Sequence, residues 1–388
     1  MISVDEALTR VLDLVSPLGA ECIDLGDAAG RILAGDVTAL RDQPPFPSSA
    51  MDGYAVSDTA PSPRKTYRVI GQSAAGRGFG GSISGDAAVR IFTGAPVPVG
   101  TARVVIQEDV TREGDSITIR EQPGPKDNIR PAGLDFAAGE IFGSRRPLTP
   151  AAVALIAAMG HARLSVRRRP EIALIATGDE LVMPGEAPGS DQITASNHLG
   201  LAAMIERAGG IARVLPIARD TEASLVAAFD AAKGADLIVT IGGASVGDHD
   251  IVSRHAGLDR AFYRVAMRPG KPLMAGRLDG TPMIGLPGNP VSAMVCGTVF
   301  ILPALRRMSG LTPEAAPRIT ARLGAPLGAN GQREHYMRAR RDGESVHVFG
   351  DQDSSRLRVL ADADTLVVRP PGDPARDTGS IVTCIALD

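Results

Sequence analysis

A largely apolar run that ends in a glycine-rich loop is the feature that most constrains the fold of this chain. The run 236–241 is rich in Ile and Val, as expected of a strand buried on both faces of a sheet. The next residues, 242–250, read G-G-A-S-V-G-D-H-D. Glycines allow left-handed backbone and close approach to a ligand, and successive backbone N–H groups in such a loop can bind an anion. The sequence therefore predicts a buried strand that leads into a candidate anion-binding loop.

Two carboxylates, Asp248 and Asp250, follow these glycines directly. Anion donors beside carboxylates suggest a phosphate whose charge is bridged by a divalent cation. A tight turn with solvated acids explains the same residues equally well, because glycine-rich loops are common. The loop alone leaves both interpretations open.

Strands and helices alternate on both sides of this loop. Strands are predicted at 172–176, 212–218, 236–241, near 262–267, and at 273–277 and 282–286, with helices at 198–208, after residue 220 as far as 233, and at 291–308. The alternation indicates a mostly parallel sheet with helices on both faces, in which ligands bind outside the carboxyl ends of the strands. The polar or glycine-rich segments that follow strands are 177–180, Asp220, 242–250 and 287–290. Their convergence predicts a binding site at that edge.

Short Val- and Ile-rich strands flank this α/β region on either side. They occur over 64–120 and again after Pro313, and they predict two small β domains. Ser3 and Glu6 form a capping box before an amphipathic helix, and Thr149-Pro150 begins a second helix that ends at Gly160.

Composition narrows the class of protein. The 388 residues carry a net charge of −3, only 3% are aromatic and none is Trp, which argues against nucleic-acid binding. Acids appear early and no apolar core follows them, so we expect no signal peptide. The longest apolar stretches, such as 291–305, are too short to span a membrane. Three widely separated cysteines fit a reduced cytoplasm and exclude thiolate metal binding.

Eight segments taken together identify a family. In chain order, the sequence resembles the molybdopterin molybdenumtransferase family, which includes MoeA and the E domain of gephyrin, in S-A-M-D-G-Y-A-V (49–56), T-G-A-P-V-P (93–98), N-I-R-P-A-G-L-D (128–135), A-T-G-D-E-L (176–181), R-D (219–220), G-G-A-S-V-G-D-H-D (242–250), R-P-G-K-P (268–272) and G-L-P-G-N-P-V-S (285–292). Each segment is weak alone, but eight in family order across nearly the whole chain are highly specific.

The resemblance implies a multidomain α/β plus β fold. A β-rich domain, 41–138, would be inserted in an extended linker region formed by 1–40 and 139–166. A central three-layer α/β domain of the molybdopterin-binding type, with a mostly parallel sheet, would span 167–313. A small C-terminal β domain would occupy 314–388.

The resemblance also implies a reaction and its partners. Family members insert molybdenum from molybdate into adenylylated molybdopterin, with Mg²⁺-dependent release of AMP, to give the molybdenum cofactor. They form homodimers whose active site lies between subunits. We therefore expect a cytoplasmic homodimer with no nucleic-acid or membrane partner. Its expected transient partners are the molybdopterin adenylyltransferase and molybdoenzyme apoproteins.

The site residues implied by the resemblance fall into three overlapping groups. The expected catalytic acids are Asp52, Asp135, Glu180, Asp220 and Asp250. Of these, Glu180, Asp220 and Asp250 would hold Mg²⁺, which prefers oxygen ligands and bridges carboxylates to substrate phosphates. The expected substrate-binding residues are Thr93, Gly242, Gly243, Ser245, Gly247, Arg268, Lys271, Pro287, Gly288, Asn289 and Pro290.

Structural explanations compete with several of these roles. Asp220 suits an N-cap on the helix that follows, and Glu180 suits first-turn compensation of a helix dipole. Asp52 suits a tight turn with Gly53, and Thr93 suits the end of a strand. Arg268 and Lys271 suit a solvated surface. The segment 287–290 suits a turn that connects a strand to a helix, with Pro at the helix start.

Departures from the family pattern, at Leu134, at Ile241 and at 354–357, leave room for another function. Leu134 stands where the family usually has an acid, and Ile241 stands where it has a hydroxyl. A non-catalytic molybdopterin carrier is therefore an alternative to the enzyme, although the retained acids favour catalysis. The preceding adenylylation step is a third hypothesis, which the β-rich domain and linker argue against.

Overall fold

The computed structural model describes residues 1–243, 257–312 and 316–387. The chain forms two compact units: one comprises Met1–Glu21, Gly30–Ala34 and Val166–Asp388, and the other comprises Cys22–Ala29 and Gly35–Ser165. We call them the α/β unit and the β-rich unit. The four domain boundaries expected from the sequence stay predictions.

The helices and strands of the described residues have the following bounds. The helices are α1 Val4–Leu14, α2 Pro150–Ala158, α3 Asn197–Arg207, α4 Glu222–Ala231, α5 Pro290–Cys296, α6 Leu302–Met308 and α7 Leu357–Ala361. The strands are β1 Ala20–Asp24, β2 Val37–Thr38, β3 Ser48–Ser49, β4 Gly53–Val56, β5 Thr66–Ser73, β6 Ala87–Ile91, β7 Arg103–Ile106, β8 Val110–Glu113, β9 Ser116–Ile119, β10 Ile129–Arg130, β11 Ile141–Phe142, β12 Arg163–Arg167, β13 Glu171–Ala176, β14 Leu181–Val182, β15 Ile193–Thr194, β16 Ile211–Val214, β17 Leu237–Ile241, β18 Leu258–Phe262, β19 Met267–Arg268, β20 Met274–Leu278, β21 Thr281–Leu286, β22 Arg318–Leu323, β23 Glu334–Asp342, β24 Ser345–Val348, β25 Thr365–Arg369 and β26 Ile381–Ala386.

The α/β unit is built on a six-stranded mixed sheet. Its strand order is β16-β13-β17-β21-β20-β18. The first four strands pair in parallel, β20 runs antiparallel to them, and the edge strand β18 is antiparallel to β20. Every residue of β17 is buried, as the unbroken apolar run predicts. Residues of α1, α3, α5 and α6 share a core with one sheet face, and α4 packs on the opposite face. The predicted three-layer α/β domain is confirmed.

The first helix joins this core. Ser3 caps α1 by accepting a hydrogen bond from the Glu6 backbone N–H at 3.1 Å, as the capping box predicts. Val4, Ala7 and Val11 are buried in the same cluster as the central strands. Fully burying a side chain such as Val contributes about 1.5–3 kcal/mol. The N-terminal helix, which the resemblance places in the linker region, packs as part of the α/β unit.

One continuous helix, Pro290–Met308, is long and apolar enough to cross a membrane by length and composition alone. It contains a π-helical turn at Gly297–Ile301. Of its 18-residue apolar segment, 78% is buried inside the protein. The helix is therefore a core element packed on the central sheet.

Each of the two remaining large sheets has six strands. The β-rich unit contains the order β7-β4-β6-β5-β9-β8, and the C-terminal region contains β19-β23-β24-β22-β26-β25. One expectation was wrong: the strand placed near 262–267 is β18, which ends at Phe262. Arg268 belongs to β19, which pairs with β23 opposite His335. The R-P-G-K-P segment therefore begins at the edge of the C-terminal sheet.

Candidate active site

Loops at the carboxyl ends of three neighbouring parallel strands surround one cavity of about 690 Å³. They follow β13, β17 and β21, whose adjacent registers bring these loops together. Of the expected site residues, the cavity wall contains Glu180, Asp220, Gly242, Gly243, Lys271, Pro287, Gly288, Asn289 and Pro290. The convergence predicted at this edge of the sheet is therefore observed.

Three glycines bring bare backbone to this cavity. Gly178, Gly242 and Gly243 have φ of +144°, +90° and +64°, a region that L side chains rarely adopt. A Cβ on Gly242 would lie 2.8 Å from the Thr177 carbonyl oxygen, and one on Gly178 would lie 2.3 Å from Glu180 Oε2. Side chains at these positions would therefore disrupt the loops. The Gly178 and Gly242 N–H groups donate to the Ala218 and Leu286 carbonyls, each at 3.0 Å, and fix the two loops. Within the described residues the Gly243 N–H donates no hydrogen bond, so it is the one of the three that suits an anion.

The acids Glu180 and Asp220 keep their carboxylates available. Within the described residues, neither carboxylate makes a hydrogen bond or ion pair to the chain. The Glu180 backbone carbonyl accepts from Ile193 N–H at 2.7 Å, and the Asp220 N–H donates to Asp179 Oδ1 at 3.1 Å. The backbone of each acid is thus fixed while its side chain remains free to bind a ligand.

Both structural explanations for these acids are wrong. Helix α4 is capped by Thr221, whose Oγ1 accepts from Ser224 N–H at 3.3 Å, so Asp220 is not the N-cap. Glu180 precedes the short strand β14 and not a helix, so it compensates no helix dipole there. What the two acids share is their position in the cavity wall, which suits a ligand-binding role.

Arg219, the residue before Asp220, was not predicted as a site residue. Its Nη1 donates to the carbonyls of Gly178, Asp179 and Leu181 at 3.3, 3.2 and 2.9 Å. One guanidinium therefore holds the whole loop that carries Glu180. The R-D pair at 219–220 was the available sequence signal.

Two asparagines tie together the loops at the helix ends. Asn197, the first residue of α3, donates through Nδ2 to the Gly288 carbonyl at 2.6 Å. Asn289 donates through Nδ2 to Ser354 Oγ at 3.1 Å. The 287–290 segment does begin α5, with Pro290 at the first helical position, and it also forms cavity wall. The segment therefore starts the helix, as the structural explanation predicts, and it lies where a substrate-binding role would require it.

Positively charged side chains lie where the R-P-G-K-P segment, 268–272, adjoins the C-terminal sheet. Arg268 is exposed on β19, and Lys271 lies in the cavity wall. Arg338 on β23 is fully buried; its Nη2 donates to the Asp351 and Asp353 carbonyls, while Nε and Nη1 have no partner in the described chain. Burial, together with Arg268 and Arg338, lowers the pKa of His335 to about 4. Sequence reasoning missed Arg338, because arginine in an alternating strand normally faces solvent.

Asp52 and Thr93 lie together in the β-rich unit. Asp52 Oδ1 accepts hydrogen bonds from the Thr93 N–H and from Thr93 Oγ1, both at 2.8 Å. These two bonds, and then the nearby Arg90 charge, lower the pKa of Asp52. The guanidinium of Arg90 lies against the rings of Tyr54 and Phe92 and donates to Gly53 O at 3.2 Å. The turn explanation for Asp52 is therefore supported, and one carboxylate oxygen remains for other use.

Asp135 also belongs to the β-rich unit and is exposed. Its N–H donates to the Gln43 carbonyl at 2.9 Å, and its carboxylate has no hydrogen bond or ion pair within the described residues. Three expected site residues, Ser245, Gly247 and Asp250, lie outside the described residues.

Comparison with known proteins covers nearly the whole chain. Family models for the MoeA N-terminal region (domain I and II), a probable molybdopterin binding domain and the MoeA C-terminal region (domain IV) match residues 2–160, 173–307 and 320–387. Two crystal structures of molybdopterin biosynthesis MoeA proteins from Pyrococcus horikoshii superpose with TM-scores of 0.88 and 0.83, at 28% and 24% identity. They cover 99% or more of both chains.

Curated relatives agree with this assignment. Molybdopterin molybdenumtransferase 2 of Mycobacterium tuberculosis is 38% identical over 95% of this chain and 96% of its own length. The molybdopterin molybdenumtransferase of Haemophilus influenzae is 37% identical over 80% of this chain and 78% of its own length. With the loops, acids and three matching regions in place, the chain belongs to the molybdopterin molybdenumtransferase family.

Proposed function

We propose that this protein inserts molybdenum from molybdate into adenylylated molybdopterin and releases AMP, giving the molybdenum cofactor. The observation that carries the proposal is the cavity at the carboxyl edge of the central sheet. There, glycine-rich backbone that suits phosphate lies beside two acids, Glu180 and Asp220, whose carboxylates have no partner in the described chain. The names of the relatives support the same reaction.

Mg²⁺ is the proposed cofactor, and the acids present suit it. The described residues contain no cluster of three or more His, Cys, Asp or Glu side chains that could hold a metal. Mg²⁺ commonly takes only one or two carboxylates and completes its shell with water and substrate phosphates. Glu180 and Asp220 would supply those carboxylates, with Asp250 as a third candidate. The bound ion would neutralise charge on the phosphates and on the departing AMP.

The chain's own groups divide the substrate among them. The Gly243 N–H would bind a phosphate, and Lys271 would add a positive charge at the same wall. Gly242, whose N–H donates to the Leu286 carbonyl at 3.0 Å, would let the ligand approach the backbone closely. Arg268, with the buried Arg338 nearby in the C-terminal sheet, suits a tetrahedral oxyanion such as molybdate, because guanidinium presents several donors in a plane. Fixed donors of this kind need little reorganisation when the pyrophosphate bond breaks.

We further propose a cytoplasmic homodimer. In it, Asp52, Thr93 and Asp135 from the β-rich unit of the partner would face the cavity described above. The adenylyltransferase would deliver the substrate, and molybdoenzyme apoproteins would receive the product.

One assay tests this function against its alternatives. The purified protein is incubated with adenylylated molybdopterin and Mg²⁺, with and without molybdate, and both AMP and reconstitution of a molybdoenzyme apoprotein are followed. Molybdate-dependent AMP release with active cofactor supports the insertase. Tight pterin binding without AMP release would instead indicate a carrier, and formation of the adduct from ATP would indicate an adenylyltransferase.

A further inference from the structure

His198 is a buried imidazole in the wall of the central cavity that the proposed reaction does not use. It is the second residue of α3, only 2% of its surface is exposed, and neither Nδ1 nor Nε2 has a hydrogen-bond partner in the described chain. Burying a polar group without a partner costs stability. An orphaned donor and acceptor at a cavity wall therefore needs an explanation.

Packing does not supply that explanation. Leu201 and Ile205 lie on the same buried face of α3 and are fully buried in the main core. An apolar side chain at position 198 would continue that face without an unsatisfied nitrogen. Burial lowers the pKa of His198, so the ring is neutral at physiological pH and offers one N–H donor and one acceptor.

The end of α3 beside His198 is suited to an anion. The N-cap residue, Ser196, makes no side-chain capping bond. Within the described residues, the backbone N–H groups of Asn197 and His198 donate no hydrogen bond. The free N–H groups and the helix dipole together favour negative charge at this position. Ser196 and Asn197 belong to the cavity wall as well, so the helix end and the imidazole lie at one place.

We propose that His198 donates an imidazole hydrogen bond to a phosphate of the ligand in this cavity, beside the backbone N–H groups that begin α3. The proposal rests on the proposed function only for the identity of the phosphate-bearing ligand. Both ring nitrogens are covered by the chain, so the contact requires the ring to turn toward the cavity. His198 would then act together with the glycine loop that follows β17, because both line the same cavity.

The first test measures AMP binding by calorimetry in wild-type protein and in His198→Leu, His198→Asn and Leu201→Met. The His198→Leu variant should bind AMP about tenfold more weakly than wild type, or weaker still, because it loses a hydrogen bond to a charged phosphate. His198→Asn retains an N–H and should bind more tightly than His198→Leu. Thermal stability of His198→Leu should be unchanged or higher, because an unsatisfied group has been removed. Leu201→Met controls for repacking on the same helix face. Wild-type AMP affinity in His198→Leu would overturn the proposal.

The second test reads the ring directly and needs no turnover. Nitrogen NMR of ¹⁵N-histidine-labelled protein, with His198→Asn used for assignment, follows the His198 nitrogens as AMP, inorganic pyrophosphate or adenosine is added. AMP and pyrophosphate should shift one His198 nitrogen toward a hydrogen-bonded value, and adenosine should not. A response to adenosine equal to that of AMP would overturn the phosphate contact. If AMP moves the signal but molybdate-dependent AMP release is absent, the proposed function fails while this inference stands.

Discussion

The central cavity and the Asp52 turn use the same chemical group in opposite ways. In the cavity, the carboxylates of Glu180 and Asp220 have no partner within the described chain, and only their backbones are fixed. In the β-rich unit, Asp52 uses Oδ1 to hold the Thr93 N–H and hydroxyl. The first pair of acids leaves its oxygens available for a ligand, whereas Asp52 also stabilises its own loop.

A fourth acid is the most completely paired of this series. Asp373 in the C-terminal region is paired with both Arg369 and Arg376, and only 5% of its side chain is exposed. Hydrogen bonds from Arg376 and Arg369 lower the pKa of Asp373 against the opposing effect of burial. An acid's partners, more than its residue type, therefore separate structural from functional roles in this protein. Substitution should therefore affect stability and activity in different proportions at each site.

The largest effect on activity is expected at Glu180. Glu180→Gln keeps the shape of the side chain but removes its charge from the cavity. Molybdate-dependent AMP release should fall by about 10³-fold or more, equivalent to about 4 kcal/mol of transition-state stabilisation. The free energy of unfolding should change by less than about 0.5 kcal/mol, because the carboxylate has no partner to lose. Single-turnover AMP release and denaturant unfolding measure the two quantities.

Glu186→Gln is the matched control. Glu186 is exposed, lies outside the cavity wall, and accepts a hydrogen bond from the Met183 N–H at 2.8 Å. Its substitution should leave AMP release near the wild-type rate. Equal rates for Glu180→Gln and wild type would show that the Glu180 carboxylate has no part in the reaction.

Asp373 should show the opposite proportion. Asp373→Asn leaves the Arg369 guanidinium, 3% exposed, buried without its counter-charge. Breaking such a pair should cost about 3 kcal/mol of unfolding free energy at neutral pH. Arg376→Gln removes the more exposed partner, 41% exposed, and should destabilise the protein less. Denaturant unfolding of both variants tests this, and a larger loss for Arg376→Gln would contradict the assignment of the buried pair as the stabilising one.

Much of the fold could be predicted from the sequence because hydrophobic periodicity, helix caps and turn residues are local signals. The buried run before Gly242, the cap at Ser3 and the Thr149-Pro150 helix start all have the expected structure. The strand expected near 262–267 was displaced because β19 is only two residues long and pairs with distant β23. Such long-range pairing leaves no periodic signal in the sequence.

Site residues that directly follow a strand could be predicted from the sequence. Residues that reach the site only through tertiary packing could not. Glu180, Asp220 and the glycines follow strands that the alternating pattern locates. Arg219 reaches back to the carbonyls of the Glu180 loop, and Arg338 is buried in another sheet. These contacts depend on tertiary packing, which no spacing in the sequence reports. His198 was missed for the same reason: it reads as an ordinary helix residue.

The smallest expected effect is at Asp52, where structure and activity share one carboxylate. The bonds from Thr93 lower the pKa of Asp52 below its ordinary value of 3.8. The folded pKa is thus below the unfolded one, so the charged form stabilises the fold above about pH 4. That contribution is lost as the pH falls through the lowered pKa. Asp52→Asn should therefore be less stable than wild type at pH 7, and the difference should shrink as the solution is acidified.

Thr93→Val separates the two bonds that act on Asp52. Thr93→Val removes the hydroxyl donor and keeps the backbone N–H. Its free energy of unfolding at pH 7 should therefore lie between those of wild type and Asp52→Asn. Unfolding of the three proteins between pH 3 and pH 7 gives the comparison. If Asp52→Asn lowers AMP release far more than Thr93→Val while the two are equally stable, the free oxygen of Asp52 serves the reaction. If activity and stability fall in parallel, Asp52 holds the turn and its carboxylate belongs with Asp373 rather than with Glu180.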